Sequence, residues 1–259
     1  MKAGKVYLVG AGPGDPELLT LKAARVIRDS DVVVYDRLVS PEILRLIPDG
    51  AAHINVGKQA GDHPIPQKEI NHILVRAARS GRNVVRLKGG DPFIFGRGCE
   101  EAAELERAGI PFEIVPGITA AQGCAASARI PLTHRGLASG VRYVTGHCKA
   151  NEPLELDWSS LADPATTLVI YMGRANVEQI VHQLIEHGLS ADTPALAVCQ
   201  GTTREERQVW TTLGELPVAA KTAKLTGPVL FIVGRVIALA AGWKEYRHAL
   251  HADKVAEVA

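Results

Sequence analysis

The sequence predicts an α/β protein of two α/β domains, an N-terminal parallel sheet wrapped by helices and a C-terminal mixed sheet, with the active site in the cleft between them. Three observations carry this expectation. Five short β-rich runs alternate with helical stripes over roughly the first 130 residues. Each of those runs ends in glycine or in a charged residue. A stretch containing Pro131, Thr133-His134-Arg135-Gly136 and Ser139-Gly140 then breaks the alternation and reads as a hinge. The expected domains are therefore 1–135 and 136–243, and 244–259 is a polar tail of weak periodicity, either a frayed helix or disordered.

Residues 5–10 form the first strand, which ends in Gly10-Ala11-Gly12-Pro13-Gly14-Asp15-Pro16. A helix should follow, with Asp15 as N-cap and Pro16 at the first helical position, where its missing N–H costs nothing. Strand 32–35 ends at Asp36-Arg37, and Ser40-Pro41-Glu42 starts a helix by the same device. Strand 53–56 ends at Gly57-Lys58. Over 67–80, Ile70, Ile73, Leu74, Ala77 and Ala78 fall on one helical stripe, with Gly81 as the stop. Strand 83–87 runs into Lys88-Gly89-Gly90-Asp91-Pro92, and the helix 99–108 ends at Gly109. Strand 112–115 turns through Pro116-Gly117-Ile118-Thr119-Ala120-Ala121 into another helix. The second half has strands at 141–145, 167–172, 195–200, 208–212 and 229–233, with 208–212 read as one arm of an antiparallel piece. Its helix 177–187 carries the stripe Val177, Ile180, Val181, Leu184 and Ile185.

At 259 residues there is room for two cores, and 46% apolar with 22% charged residues is ordinary for a soluble globular chain. A net charge of +1 argues against a nucleic-acid partner. Cys99, Cys124, Cys148 and Cys199 form no CxxC pair, so free thiols of a reducing cytoplasm are expected and no metal site. Residues 1–5 lead almost directly into a strand, so no signal peptide is expected, and no apolar run approaches the ~20 residues of a membrane span.

In parallel sheets ligands bind outside the carboxyl ends of the strands. The run from Arg86 to Gly98 is the most chemically loaded of these ends: Gly89-Gly90 bares backbone, Phe93, Ile94 and Phe95 offer apolar surface, and Lys88 and Arg97 flank them. Asp36 sits where a dinucleotide enzyme would hold a ribose, but the G-x-G-x-x-G spacing fails. Asp15 stands where a pyrophosphate should rest and would repel it. No G-x-x-x-x-G-K-[ST] loop is present either. The residues thus favour a nucleoside ligand without phosphates, of which S-adenosylmethionine is the common one; a nicotinamide oxidoreductase and a cofactor-binding regulatory module are the alternatives.

Several motifs then fall in a familiar order. Val9-Gly10-Ala11-Gly12-Pro13-Gly14-Asp15, Tyr35-Asp36-Arg37-Leu38-Val39, Val56-Gly57-Lys58, the whole of 86–98, Val115-Pro116-Gly117-Ile118-Thr119-Ala120, Pro131-Leu132-Thr133-His134-Arg135, Val144-Thr145-Gly146-His147 and Tyr171-Met172-Gly173 resemble the S-adenosylmethionine-dependent tetrapyrrole methyltransferases. Within them the full Tyr-Asp-Arg-Leu-Val and Gly-Lys pair resembles the uroporphyrinogen-III C-methyltransferase family, collinearly over about 4–242. That resemblance implies methyl transfer from S-adenosylmethionine to C2 and C7 of uroporphyrinogen III, giving precorrin-2 by way of precorrin-1, in a homodimer, on the route to sirohaem and cobalamin.

Carried onto this chain, the resemblance implies cofactor contacts at Pro13, Gly89, Gly90, Asp91, Ile94, Thr119, Ala120, Met172 and Gly201, and an acid–base pair at Asp36 and Lys58. We read Asp36 as proton acceptor and Lys58 as the anchor of a substrate carboxylate, with proton donation by Lys58 the other option. Arg37, Arg97 and Arg135 are nominated for the remaining carboxylates, with Glu100 either steering Arg97 or binding a pyrrole N–H. Cys99 stands where this family usually has a small residue, often glycine. The chain starts just before its first strand and is expected to lack the dehydrogenase and ferrochelatase region of fused sirohaem synthases. The runner-up activity is methylation of a later corrin precursor.

Overall fold

In a computed structural model, which describes residues 3–57, 65–147 and 154–256, the β-branched runs of the first half become β1 (Val6–Gly10), β2 (Val32–Tyr35), β3 (Ala52–Asn55), β4 (Val84–Lys88) and β5 (Phe112–Val115). They form one all-parallel sheet in the order β3-β2-β4-β1-β5, with Gly10 opposite Lys88 and Tyr35 opposite Leu87. β4 is central and buried along its whole length. Helices α1 (Leu21–Arg28), α2 (Pro41–Leu44), α3 (Gln67–Arg79) and α4 (Gly98–Arg107) cover the sheet. Val9, Val33, Val85 and Leu87 pack on one face with Ala23, Val26 and Ile27 of α1 and Ile43 of α2. Leu8, Val34 and Val84 pack on the other with Ile70, Leu74 and Ala78 of α3 and Leu105 of α4. This two-faced burial explains why the strands read as nearly unbroken apolar runs.

The helix expected after β1 arrives in two pieces. Asp15 caps only a single 3-10 turn, Pro16–Leu18, by accepting from the N–H of Glu17 at 2.9 Å. Leu19 is extended, and Thr20 restarts the chain as the N-cap of α1, its Oγ1 accepting from Ala23 N at 3.1 Å. Two capping residues five positions apart make two short elements instead of one.

The chain divides into two compact units, Met1–Gly123 and Cys124–Ala259, and the division falls inside α5 (Ala120–Ser127). The second unit holds β6 (Gly140–Thr145), β7 (Thr166–Tyr171), β8 (Pro194–Cys199), β9 (Arg207–Thr212) and β10 (Val229–Val233) in the order β6-β7-β10-β8-β9. β6 and β7 are parallel, and β10 runs antiparallel to both β7 and β8, as does β9 to β8. The sheet is mixed, as expected. Around it lie α6 (Trp158–Leu161), α7 (Val177–Glu186), α8 (Leu216–Thr222) and α9 (Ala241–Ala256). Val177, Ile180, Val181 and Leu184 of α7 and Leu216 of α8 enter a core centred on Phe231. The stretch left open as frayed helix or disorder is helical to Ala256, its first two turns held by buried Trp243 and by the Tyr246 hydroxyl donating to Glu215 Oε2 at 2.6 Å. Among the described residues no helix is long and apolar enough to cross a membrane.

One ion pair cluster on the edge of the first sheet has a defined pH signature. Glu113 of β5 accepts from Lys5 Nζ at 2.6 Å and also pairs with Lys22 of α1, and these two cations, Lys22 foremost, hold its carboxyl down at about 2, against a usual 4.5. A depressed carboxyl pKa stabilises the fold above the unfolded value and loses that contribution as pH falls through the folded one. The stability difference between the wild type and Glu113→Gln, read by urea unfolding, should be constant above about pH 4.5 and vanish towards about pH 2. Partial exposure and screening keep it at about 1 kcal/mol or less.

Candidate active site

Because all five strands of the first unit run parallel, their carboxyl ends share one rim, and the rim is drawn together by bare backbone. A Cβ on Gly10 would lie 2.5 Å from Gly117 N and 2.6 Å from Gly90 O, and one on Gly117 would lie 2.3 Å from Gly90 O. No side chain fits at either position. Gly12 and Gly90 exchange backbone hydrogen bonds, Gly90 N to Gly12 O at 2.7 Å and Gly12 N to Gly90 O at 3.2 Å, with φ of 73° and 69° that suit glycine. Asp91 completes the closure: its Oδ2 accepts from Gly117 N at 3.0 Å and its Oδ1 from Phe93 N at 2.8 Å. The turn after β2 joins in, since Gly89 has room only for hydrogen where Leu38 packs, and Ser40 Oγ donates to Gly14 O at 2.6 Å.

Asp36 stands on that second turn with its carboxylate held at both ends, Oδ1 by Leu38 N at 3.0 Å and Oδ2 by Arg86 Nη2 at 3.2 Å. Arg86 lies beneath it in a buried layer of charge. Its Nε donates to Glu101 Oε1 at 3.0 Å, and its Nη1 to Leu87 O at 3.0 Å. Glu101 Oε1 also accepts from Lys88 Nζ at 3.0 Å and from Gln67 Nε2 at 3.1 Å. Arg86, Lys88 and Glu101 are 3%, 4% and 0% exposed, so each charge depends on its neighbours for solvation. Burial, followed by the nearby Arg86 guanidinium, lowers the Lys88 pKa.

Between β4 and α4 the chain takes two left-handed residues that are not glycine, Phe95 at φ 52° and Arg97 at φ 59°. Such conformations cost about 1–3 kcal/mol each and persist where surroundings impose them. Here Gly96 and Gly98 crowd the Pro92 carbonyl, a Cβ on either falling within 2.7 Å of it. The fold exposes Phe93 and Phe95 at the surface, with Ile94 half-buried between them. Arg97 makes a two-pronged ion pair with Glu100, Nε to Oε1 at 2.8 Å and Nη2 to Oε2 at 2.7 Å. That contact raises the Arg97 pKa and lowers that of Glu100. Thr119 caps α5 in a reciprocal box, its Oγ1 accepting from Gln122 N while Gln122 Oε1 accepts from Thr119 N, both at 3.3 Å. Ala120 is thereby the first residue of a capped helix on the rim.

The first unit thus brings Pro13, Asp36, Arg37, Gly89, Gly90, Asp91, Ile94, Arg97 and Thr119 to the loops after its strands, and Glu100 and Ala120 to the first turns of the helices that follow. Arg37 is exposed and has no ion pair among the described residues. Lys58 lies outside the described residues, as does Cys148. The second unit carries Arg135, exposed on a turn closed by His134 and Ala138, and places Met172 and Gly201 at one end of its sheet, where β10 begins between them. Those strand ends are again left-handed: Met172 at φ 54°, Gln200 at 51° and Thr202 at 64°. Gly201 is buried, and a Cβ there would lie 2.3 Å from Cys124 Sγ; burial pushes that thiol up to about 12. Glu206 ties the turn down, accepting from Ser127 Oγ at 2.5 Å and from Thr202 N.

Sequence reasoning marked Arg86 and Lys88 as part of a chemically loaded run but gave them no partner, and missed Glu101 and Gln67. A signal existed. Arg86 and Lys88 alternate with Val85 and Leu87, so a period of two puts both cations on one face of a central strand, and Glu101 shares the inward stripe of α4 with Leu105. The capping box at Thr119 and Gln122 was also legible as T-x-x-Q. Among the described residues no group of His, Cys, Asp or Glu is arranged to hold a metal ion.

Comparison with known proteins supplies a family. The pattern of Tetrapyrrole (Corrin/Porphyrin) Methylases matches residues 5–217. The uroporphyrinogen-III C-methyltransferase of Paracoccus denitrificans is 58% identical over 237 residues, 92% of this chain and 83% of that protein. The siroheme synthase of Azotobacter vinelandii is 54% identical over 236 residues, 91% of this chain, which spans only 51% of that longer protein. The crystal structure of a uroporphyrin-III C-methyl transferase from Thermus thermophilus, complexed with S-adenyl homocysteine, superposes with a TM-score of 0.77 at 42% identity, covering 91% of this chain and 94% of that one.

The close backbone approach makes a direct prediction. Gly117→Ala should destabilise the protein by about 1–3 kcal/mol in urea unfolding, because the obstructing atom is main chain. Gly50→Ala, with open space around its Cβ, should change stability by about 0.5 kcal/mol or less.

Proposed function

The chain belongs to the tetrapyrrole (corrin/porphyrin) methylases, and from that premise we propose that it transfers methyl groups from S-adenosylmethionine to C2 and C7 of uroporphyrinogen III, giving precorrin-2. The observation that carries this reading is the packing of the Asp36 turn, through Leu38, directly onto Gly89 of the glycine turn. A carboxylate able to take a proton thus stands beside Gly90, whose backbone is bare enough to admit a ligand.

The residues fit this cofactor better than a phosphate-bearing one. Asp15 already occupies the N-terminal amide of its turn with a negative charge, where a pyrophosphate would be repelled and a sulfonium would not. Gly90 leaves the main chain uncovered, with only Ala120 N, 3.8 Å away, near the place of a Cβ, and exposed Phe93 and Phe95 offer ring surface beside it. When bound, S-adenosylmethionine supplies a methyl group already activated for transfer. What the protein must add is alignment of an electron-rich pyrrole carbon and removal of the proton left after that carbon is methylated.

Asp36 serves as the acceptor of that proton. A carboxylate has about four lone-pair directions, and Leu38 N–H and Arg86 use two, leaving the others for the substrate. Arg37 and Arg135, both exposed and free of acidic partners among the described residues, suit the carboxylates of the macrocycle. Arg97 reaches them with Glu100 fixing the plane of its guanidinium. Lys58 anchors a further carboxylate. Pro13, Gly89, Gly90, Asp91, Ile94, Thr119 and Ala120, with Met172 and Gly201, complete the proposed cofactor set. Of these, Asp91 and Thr119 act by shaping the backbone, because their side chains are engaged in holding Gly117 and capping α5. Family resemblance further supports a cytoplasmic homodimer, which sedimentation of two chains per particle would check.

Anaerobic incubation with S-adenosylmethionine and freshly reduced uroporphyrinogen III should add two methyl groups by mass spectrometry. No gain, with S-adenosylhomocysteine still bound, would redirect the search to later corrin precursors. Asp36→Asn should lower turnover about a hundred- to ten-thousand-fold with S-adenosylhomocysteine affinity unchanged. Lys58→Arg should keep much of the turnover; complete loss with normal substrate binding would make Lys58 a proton donor.

A further inference from the structure

Glu101 is wholly buried, yet its two oxygens are unequally used. Oε1 accepts three hydrogen bonds, from Arg86, Lys88 and Gln67, while Oε2 has no partner among the described residues. An unpartnered buried carboxylate oxygen is expensive, so an arrangement that keeps it calls for a reason beyond packing. Arg86 supplies the reason. Its guanidinium is held along three directions: Nε to Glu101, Nη1 to Leu87 O and, more distantly, to Val34 O, and Nη2 to Asp36. Two of these acceptors are main chain of the central sheet and cannot move. Glu101 is the side chain that selects the remaining orientation, the one that presents Nη2 to Asp36. Lys88 balances the charge, giving two cations for two carboxylates, and Gln67, itself donating to Asn71 Oδ1 at 3.1 Å, fixes Glu101 from α3.

We propose that Glu101 is a positioning residue of the reaction centre, acting through Arg86 to hold the carboxylate of Asp36 where the substrate proton is taken, with Lys88 as its obligatory counter-charge. The proposal rests on Asp36 being the proton acceptor. Glu101 never meets substrate or cofactor. Its effect therefore falls on turnover and not on binding.

Glu101→Gln keeps the shape but leaves two buried cations facing one carboxylate. Turnover, followed as S-adenosylhomocysteine release, should fall about ten- to a hundredfold, the cost of a small misplacement at a reacting centre. The dissociation constant of S-adenosylhomocysteine and the KM for the tetrapyrrole should stay within about twofold of wild type. Adding Lys88→Met to Glu101→Gln removes the excess cation and should recover most of the lost turnover. Equal losses of turnover and cofactor affinity, with no recovery in the double variant, would reduce Glu101 to a scaffold role and overturn the proposal, as would wild-type turnover in Glu101→Gln. If Glu101→Gln does not fold, Lys88→Met and Gln67→Leu, which leave Glu101 in place, take the same readout: reduced turnover at unchanged affinity supports the proposal, and unchanged turnover in both overturns it. Asp36→Asn measured alongside separates the two readings. Undiminished turnover in that variant defeats the assignment of Asp36 itself, whereas its loss together with normal turnover in Glu101→Gln defeats only the positioning role.

Discussion

Main-chain contact among Gly10, Gly90 and Gly117 is the constraint on which the rim of the first unit depends. The three strand ends can converge this closely only if neither Gly10 nor Gly117 carries a Cβ, while Gly90, which has space for one, is called for by its φ of 69°; once they converge, their amides and carbonyls satisfy one another or meet Asp91. The result is a surface of backbone, held by neighbours on each side, at the edge where a parallel sheet exposes its unpaired strand ends. The left-handed turn at Phe95 and Arg97 follows from the same crowding, because the chain must leave Pro92 and enter α4 within a few residues.

Beneath the rim, apolar packing gives way to charge over a single strand. Val84 of β4 lies in the hydrophobic layer with Leu74 and Leu105, and the next two residues on that face are Arg86 and Lys88. Buried ion pairs rarely add stability over apolar side chains of similar volume, and removing one partner costs about 3–5 kcal/mol because the other is stranded. The layer is better understood as a fixed electrostatic floor for Asp36. It links β4, α3 and α4 through groups that have few alternative partners, and so the orientation of the Asp36 carboxylate is set from below by the fold.

The second unit reaches a comparable end by different means. Its nominated cofactor residues, Met172 and Gly201, follow β7 and β8, two strands separated by an antiparallel neighbour, and each exit turns through non-glycine residues at positive φ. Cys124 fills the space that Gly201 leaves, and Glu206 clamps the turn to α5 through Ser127. Both units therefore combine a glycine that admits close contact with a buried or half-buried carboxylate that locks the surrounding turn.

The order of the strands and of the first unit's helices, the parallel character of the first half, the mixed character of the second and the residues at the strand ends were legible in the chain, because each rests on local periodicity, capping chemistry or glycine spacing, whereas the short helices α6 and α8 went unread. The halving of the first helix was legible too, in Thr20, but Asp15-Pro16 is the stronger-looking start and masked it. What the tertiary structure alone decided are the partners of the charges. Arg86 meets Asp36 across fifty residues and Glu101 across fifteen, and Asp91 meets Gly117 across twenty-six. Local pattern says which face of a strand or helix a side chain takes, but not which strand lies beside it or how a helix is rotated upon it. The order β3-β2-β4-β1-β5 is what puts β4 beside β2 and β1, and only with that order do a polar pair in a central strand and one glutamate on α4 become the support of the Asp36 carboxylate.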